Sequence, residues 1–102
     1  MRRAALAFLL LALAATGCGN ATQRASGVVV SVDQASLTDV RAFTLRTEAG
    51  EMLTFRVGDL DLSRDGFPAN HLREHMAMVS AVVVDYTNEG AELVAVHLTD
   101  AP

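Results

Sequence analysis

The chain contains one cysteine, no lysine and no tryptophan, and its 12 acidic residues outnumber its 8 basic ones. A single cysteine excludes an internal disulfide framework and a zinc site built from several cysteines. Apart from Arg2 and Arg3 in the N-terminal segment, six arginines stand against 12 acids, a formal charge of −6. A domain this acidic is a poor binder of nucleic-acid phosphates. The length of 102 residues allows one small domain.

The longest apolar run lies at the N-terminus, from Ala4 to Ala15, directly after the two arginines. Its 12 residues are too few for a membrane-spanning helix, which needs about 20. A basic start, a short apolar run and then small residues are typical of a secretory signal that is removed from the mature protein. We therefore expect an exported protein.

The signal ends in Ala15-Thr16-Gly17-Cys18, which resembles the bacterial lipobox. In lipoproteins the cysteine of this motif is acylated and becomes the mature N-terminus. Ala15 stands where most of these motifs carry leucine. The resemblance implies a diacylglyceryl anchor on Cys18, with enough acyl chains for stable attachment, and a location on the extracytoplasmic side of a bacterial membrane. The alternative is ordinary signal-peptidase cleavage that leaves Cys18 a plain thiol, and no other cofactor is expected.

These features divide the chain into three parts. Residues 1–17 form the signal peptide, and residues 18–26 form the lipidated cysteine with a flexible tether, because they are polar and show no periodicity. Residues 27–102 form the folded domain.

A β-hairpin is predicted from alternating apolar and polar residues on two segments. Placing Phe43 opposite Phe55 and Leu45 opposite Leu53 leaves a three-residue loop that ends in Gly50. Loops of this length need a left-handed residue at that position, so pattern and turn chemistry agree.

A second hairpin is predicted by the same construction near the C-terminus. Val82 is placed opposite Val96 and Val84 opposite Val94, and the loop of residues 88–90 ends in Gly90. Both hairpins carry the turn sequence Thr-x-x-Gly.

One further strand and one helix complete the predicted domain. The strand is the valine-rich segment Val28 to Val32. A short helix is predicted from Phe67 to Ala77, because Pro68 suits a first turn and Leu72 and Met76 are one turn apart. The predicted order is therefore three strands, a helix and two strands.

This order resembles the OB-fold, which implies an all-β domain with one short helix, closed as a five-stranded Greek-key barrel. The segments Phe43-Thr44-Leu45-Arg46-Thr47 and Leu53-Thr54-Phe55-Arg56-Val57 are also similar to small exported bacterial OB-like domains of uncharacterised function. An open, sandwich-like meander is the alternative. The side chains predicted to fill the barrel are Val28, Val30, Val32, Phe43, Leu45, Leu53, Phe55, Val57, Val82, Val84, Tyr86, Val94, Val96 and Leu98.

An acidic turn resembles the first half of a calcium-binding loop. Asp61, Ser63 and Asp65 offer oxygens at alternating positions, Gly66 permits the bend, and Asp59 lies nearby. The twelfth position of the loop lacks the bidentate glutamate, so a solvated acidic turn is the favoured interpretation.

The predicted helix carries two motifs of metal sites. His71-Leu72-Arg73-Glu74-His75 resembles the inverted zinc-protease signature, but only 27 residues follow and no substrate cleft fits. His71, His75, Met76 and Met78 also form a candidate soft-metal set, because imidazole and thioether ligands together select Cu(I). That set is similar to a periplasmic copper chaperone of the OB class, from which it departs by placing the Met pair at a helix end. The alternative is that both methionines fill the core.

The functional prediction is a lipid-anchored, non-catalytic binding or interaction module for an unknown protein or small ligand, with a periplasmic copper-binding protein as the alternative. Nucleic-acid binding is not expected, because the charge is negative and the aromatic residues fall on the buried face. A serine hydrolase is not indicated either, because no serine has a predicted neighbouring base. Segment 59–78 is the predicted contact surface, and Arg46, Arg56 and Arg73 are candidate partner-binding residues.

The anchor can be tested on the protein isolated from its native membrane. We expect mass spectrometry of the mature N-terminus to show Cys18 as the first residue, carrying a diacylglyceryl group. An unmodified Cys18, or a mature chain that begins at another residue, would exclude the anchor.

Overall fold

The computed structural model describes residues 21–102, so the predicted signal peptide and the predicted lipidation site Cys18 lie outside the described residues. Among residues 21–102, no helix is both long and apolar enough to cross a membrane. The elements, in chain order, are strand β1 (Gln23–Gln34), strand β2 (Val40–Thr47), strand β3 (Met52–Arg56), helix α1 (Ala69–Met78), strand β4 (Ala81–Glu89) and strand β5 (Glu92–Asp100).

The five strands close into a barrel in the order β1-β2-β3-β5-β4. All neighbouring strands are antiparallel except β3 and β5, which pair in parallel through Phe55 with Leu93 and Arg56 with Val94. This is the Greek-key connectivity of the OB-fold, because the segment containing α1 carries the chain from β3 past β5 to β4. The predicted fold class is therefore confirmed, and the open meander is excluded.

Strand β1 begins within the segment predicted as a flexible tether. From Gln23 to Val28 it pairs with β4, and Arg24 forms an ion pair of 2.7 Å with Asp85. The tether prediction is thus wrong from Gln23 onward, because backbone pairing with β4 orders these polar residues despite their lack of an apolar pattern. Only four residues lie between Cys18 and the start of the strand.

A β-bulge at Val30 changes which side of β1 faces the core. Val29 pairs with Leu45 and Ser31 with Thr44, which leaves Val30 as the extra residue. Val29 is buried, whereas Val28 and Val30 are only half-buried. The prediction that Val28 and Val30 face the barrel interior is therefore wrong. Beyond the bulge Val32 packs against the core, as predicted. A bulge shifts the alternation of side chains by one residue.

The register of β2 and β3 matches the prediction, with Phe43 opposite Phe55 and Leu45 opposite Leu53. Gly50 has a φ of 88°, the left-handed conformation that the loop requires. Both rings lie in the barrel interior, with centroids 5.5 Å apart. Local pattern and turn chemistry were sufficient for this hairpin.

The register predicted for β4 and β5 is wrong. Val82 pairs with Asp100 and Val84 with Leu98, and the turn consists of two residues, Gly90 and Ala91. Gly90 has a φ of 64°, as the first residue of a tight two-residue turn requires.

A bulge in β5 changes the burial pattern near this turn. Asp85 pairs with His97 and Tyr86 with Ala95, so Val96 is the extra residue and is 41% exposed. Ala95 takes the buried place that was predicted for Val96.

Helix α1 begins at Ala69, two residues later than predicted, with Pro68 at its N-cap. Its buried residues are Ala69, Leu72 and His75, and the helix packs against β1. Together with Phe67 from the preceding loop, these residues close the barrel on the side where β4 begins. Only three of the ten helix residues are buried, so the buried face of the helix is narrow. The helix therefore depends on its packing against the barrel for its stability.

The helix ends at a strained residue. Val79 has a φ of 53°, and its N–H and that of Ser80 donate to the carbonyls of Met76 and His75. This is a left-handed helix cap, a position that favours glycine and disfavours β-branched residues. Val79 is 64% exposed, so it gains little from packing.

Replacing Val79 with glycine is expected to raise the free energy of unfolding by about 1 kcal/mol, because glycine removes the cost of a left-handed L-residue. Urea unfolding followed by circular dichroism measures the change. Val96→Gly is the matched control, since it replaces another exposed valine at a position without positive φ and should be destabilising. A loss of stability in Val79→Gly similar to that in Val96→Gly would contradict this account.

The ion pair between β1 and β4 predicts a pH dependence. The hydrogen bond from Arg24 lowers the pKa of Asp85 below its ordinary value. A carboxyl whose pKa is lower in the folded state stabilises the fold above its unfolded pKa of about 3.9, and this stabilisation is lost as the pH falls through the folded pKa.

Arg24→Gln should therefore reduce the free energy of unfolding at pH 7, and the difference from the wild type should shrink as the pH falls below about 4. Urea titrations at pH 7 and pH 3 measure both values. Arg64→Gln, an arginine in an exposed loop, serves as the control. A difference between Arg24→Gln and wild type that is the same at both pH values would show that the ion pair does not contribute.

Candidate binding sites

Two histidines of α1 and the last residue of β5 converge at one end of the barrel. Nε2 of His75 lies 2.6 Å from Oδ1 of Asp100, and Nε2 of His71 lies 3.0 Å from the same oxygen. His71 and His75 face one side of the helix because they are four residues apart. One ligand atom from each of the three residues lies within 4.8 Å of the others. Within residues 21–102, this is the one group of at least three His, Cys, Asp or Glu side chains close enough to share a metal ion.

The opposite nitrogen of each ring also has a neighbour. Nδ1 of His75 lies 2.9 Å from Oγ of Ser80 and 3.1 Å from the Ser80 carbonyl oxygen. Nδ1 of His71 lies 3.4 Å from Oε1 of Glu74. Phe67 packs against both rings, with centroid distances of 4.6 Å to His71 and 5.5 Å to His75. The orientation of both imidazoles is therefore set by contacts on several sides.

The two histidines act on the charge of the aspartate. Hydrogen bonds from His71 first, and then from His75, lower the pKa of Asp100 below its ordinary value, against the small opposing effect of desolvation. The carboxylate side chain is 63% exposed, whereas that of His75 is only 10% exposed. The cluster is thus buried on its helix side and open to solvent on its Asp100 side.

The structure divides the predicted soft-metal set. His71 and His75 lie together, but Met76 packs against the hydrophobic core, as the alternative interpretation held. Met78 is 72% exposed at the end of the helix. The third member of the cluster is the carboxylate of Asp100, which the sequence analysis did not identify. Its partners lie 25 and 29 residues away along the chain, so only the pairing of β4 with β5 brings it to the helix.

Ser80 was also missed, because no local motif places it next to a base. The expectation that no serine has a neighbouring base was wrong, since Ser80 lies beside His75. A hydrolase would also need backbone N–H groups that stabilise an oxyanion. The N–H groups of Val79 and Ser80 are both bonded to carbonyls of α1 and do not supply them.

The acidic turn does not gather its oxygens around one point. Oδ2 of Asp65 accepts a hydrogen bond of 2.7 Å from the backbone N–H of Leu98, and its Oδ1 lies 2.6 Å from Nδ1 of His97. Oδ1 of Asp61 accepts a bond from the backbone N–H of Arg64. Asp59 and Ser63 are exposed. The favoured interpretation of a solvated acidic turn holds for Asp59, Asp61 and Ser63, which are exposed, but is wrong for Asp65, whose carboxylate joins the loop to β5.

A groove lies at the opposite end of β5 from Asp100. Its volume is about 630 Å³, and strands β2 and β3 form its floor. The loop between β1 and β2 and the turn between β4 and β5 form its walls. The lining residues are Asp33, Asp39, Val40, Arg41, Ala42, Thr54, Arg56, Gly58, Ala91, Glu92 and Leu93.

The three arginines predicted to bind a partner lie in different places. Arg56 lines the groove and is paired with Glu92 at 3.2 Å and Glu89 at 3.3 Å. Arg46 is exposed near the end of β2, and Arg73 on α1 donates a hydrogen bond to Gln34. The structure does not bring them together as one basic surface. Of the predicted contact segment 59–78, the helix contributes to the histidine cluster, and the groove takes its residues from elsewhere in the chain.

Comparison of the chain with protein-family models, with curated proteins and with solved structures finds no match.

Proposed function

We propose that the protein is a lipid-anchored, extracytoplasmic and non-catalytic binding module, and that its groove binds a basic segment of a partner protein. The groove is the single observation that carries this proposal. It lies on the face of strands β2 and β3 and between two loops, where OB barrels hold extended ligands.

The charge of the groove supports a basic occupant. Asp33, Asp39 and Glu92 supply three carboxylates, whereas Arg41 and Arg56 supply two guanidinium groups. Arg56 is engaged by Glu92 and by Glu89 outside the groove. The carboxylates of Asp33 and Asp39 have no hydrogen-bond or ion-pair partner within residues 21–102, and the domain carries an excess of acidic residues. A cationic chain is complementary to such a surface, and a nucleic-acid phosphate is not.

The proposed anchor would hold the groove near the membrane. Gln23, the first residue of β1, contacts Tyr86 and Asn88 close to the turn that forms one wall of the groove. The five residue steps from Cys18 to Gln23 span at most about 18 Å, since an extended chain advances at most about 3.6 Å per residue. The partner segment proposed here therefore belongs to a protein in or near the same membrane.

A labelled hexalysine peptide is a suitable probe, and its binding to the mature protein in detergent can be followed by fluorescence anisotropy. We expect saturable binding that weakens with added salt. The double variant Asp33→Asn/Asp39→Asn should raise the Kd about fivefold, because each exposed charge contributes about 0.5 kcal/mol.

The matched control is Glu48→Gln/Asp59→Asn, which removes two exposed charges outside the groove. An equal loss of affinity in the control would show non-specific attraction to an acidic protein, and no saturable binding would contradict the proposed occupant. Either result would overturn the groove as the site for a basic segment.

A further inference from the structure

We infer that His71, His75 and Asp100 form a binding site for a divalent transition-metal ion, with Zn²⁺ as the ion that the donor set fits. This site lies at the opposite end of β5 from the groove and does not depend on the function proposed for the groove. Two imidazole nitrogens and one carboxylate oxygen are an established donor set for zinc.

The three donor atoms lie near one another, although the two donor distances to Asp100 are shorter than in a metal-bound site. Zinc binds imidazole nitrogen at about 2.0–2.1 Å and carboxylate oxygen at about 2.0–2.2 Å, so tetrahedral coordination places neighbouring donors about 3.3 Å apart. Nε2 of His71 and of His75 lie 3.0 and 2.6 Å from Oδ1 of Asp100. The three donor atoms lie within 4.8 Å of one another. Metal binding needs the Asp100 oxygen to move away from Nε2 of His75, and Asp100 is exposed at the end of a strand and can make this movement.

The surroundings of the rings are compatible with the tautomers that a metal ion requires. Both Nε2 atoms face a carboxylate, so in the metal-free protein a neutral ring donates its hydrogen there. Nδ1 of His71 then has no hydrogen to offer the Glu74 carboxylate 3.4 Å away, whereas Nδ1 of His75 can accept the hydroxyl hydrogen of Ser80, whose Oγ lies 2.9 Å away.

A metal ion at the two Nε2 atoms changes these roles. The rings then carry their hydrogens on Nδ1, where His75 can donate to the Ser80 carbonyl and His71 faces the Glu74 carboxylate. Histidine ligands in metal sites usually have such an acceptor behind them, which fixes the tautomer and the orientation of the ring. The oxygen atoms behind His71 and His75 are therefore compatible with a ligand at Nε2.

The site is rigid on one side and open on the other. Phe67 holds both imidazoles from the core side, and His75 is buried. Three protein donors leave a fourth position of a tetrahedron on the solvent side, which water or an external donor can occupy. A carboxylate as third donor favours a borderline divalent ion over Cu(I), which prefers thioether ligands such as Met76, here packed in the core.

Zinc titration of the chelator-treated mature protein by isothermal calorimetry tests this site. We expect one saturable Zn²⁺ site per chain. His71→Gln and Asp100→Asn should each weaken it by more than about 100-fold, because loss of a ligand costs more than loss of an outer hydrogen-bond partner. Glu74→Ala, which removes the acceptor behind His71, should weaken it about tenfold. Both ligand variants change exposed or half-exposed side chains, so circular dichroism should show an unchanged fold.

His97→Gln is the matched control, since it removes the third histidine of the chain, which lies beside Asp65, and should leave zinc affinity unchanged. Absence of a saturable site would overturn the inference, as would equal zinc affinity in wild type and His71→Gln. Loss of affinity in Met78→Leu would overturn the donor set in favour of a soft-metal site. Asp33→Asn/Asp39→Asn should leave zinc binding intact. The zinc site and the binding of a basic segment in the groove can therefore be disproved independently.

Discussion

Strand β1 is the element on which the rest of the barrel depends, because it pairs with β4 in its first half and with β2 in its second. Gly27 and Val28 pair with both neighbours, and a Cβ on Gly27 would meet the Arg46 carbonyl oxygen at 2.5 Å. The close approach at Gly27 and the bulge at Val30 allow one strand to turn from one side of the barrel to the other. Without this turn the sheet would stay open, and Asp100, paired through β4, would lose its fixed place opposite the helix.

Much of this fold could be predicted from the sequence, but two bulges could not. In the hairpin of Phe43 and Phe55, apolar and polar residues alternate without interruption, and the turn is formed by neighbouring residues. Both features can be recognised directly in the sequence. The second hairpin carries the same Thr-x-x-Gly motif, but its turn is shorter than the turn of the first hairpin, and Val96 is an extra residue in β5. A bulge among consecutive valines cannot be recognised in the sequence, because each possible strand register would bury equally apolar side chains. Tertiary packing therefore decided which valines face the core.

Some residues of the histidine cluster could be predicted from local sequence spacing, and others depend on contacts between distant parts of the chain. His71 and His75 could be identified from helical spacing, whereas Asp100 and Ser80 could not, because the strand pairing and the helix cap that position them are properties of the folded chain. The strained cap at Val79 directs Ser80 back to His75, so the end of the helix and the orientation of the imidazole are set together. The methionines do not join the histidine cluster, because Met76 follows His75 directly and faces the core, and Met78 is exposed at the end of the helix.

The early start of β1 has a geometric consequence for a barrel attached by acyl chains at Cys18. A chain segment shorter than the barrel's own width restricts tumbling, so the domain would keep one end towards the lipid headgroups and could not reach across the compartment. Asp100 and Glu92 lie at opposite ends of β5, about 27 Å apart along a strand that rises about 3.4 Å per residue. With the proposed anchor, the end of the barrel that carries the groove would lie nearer the bilayer than the end that carries the histidine cluster, so the two could be occupied at the same time by molecules that never meet.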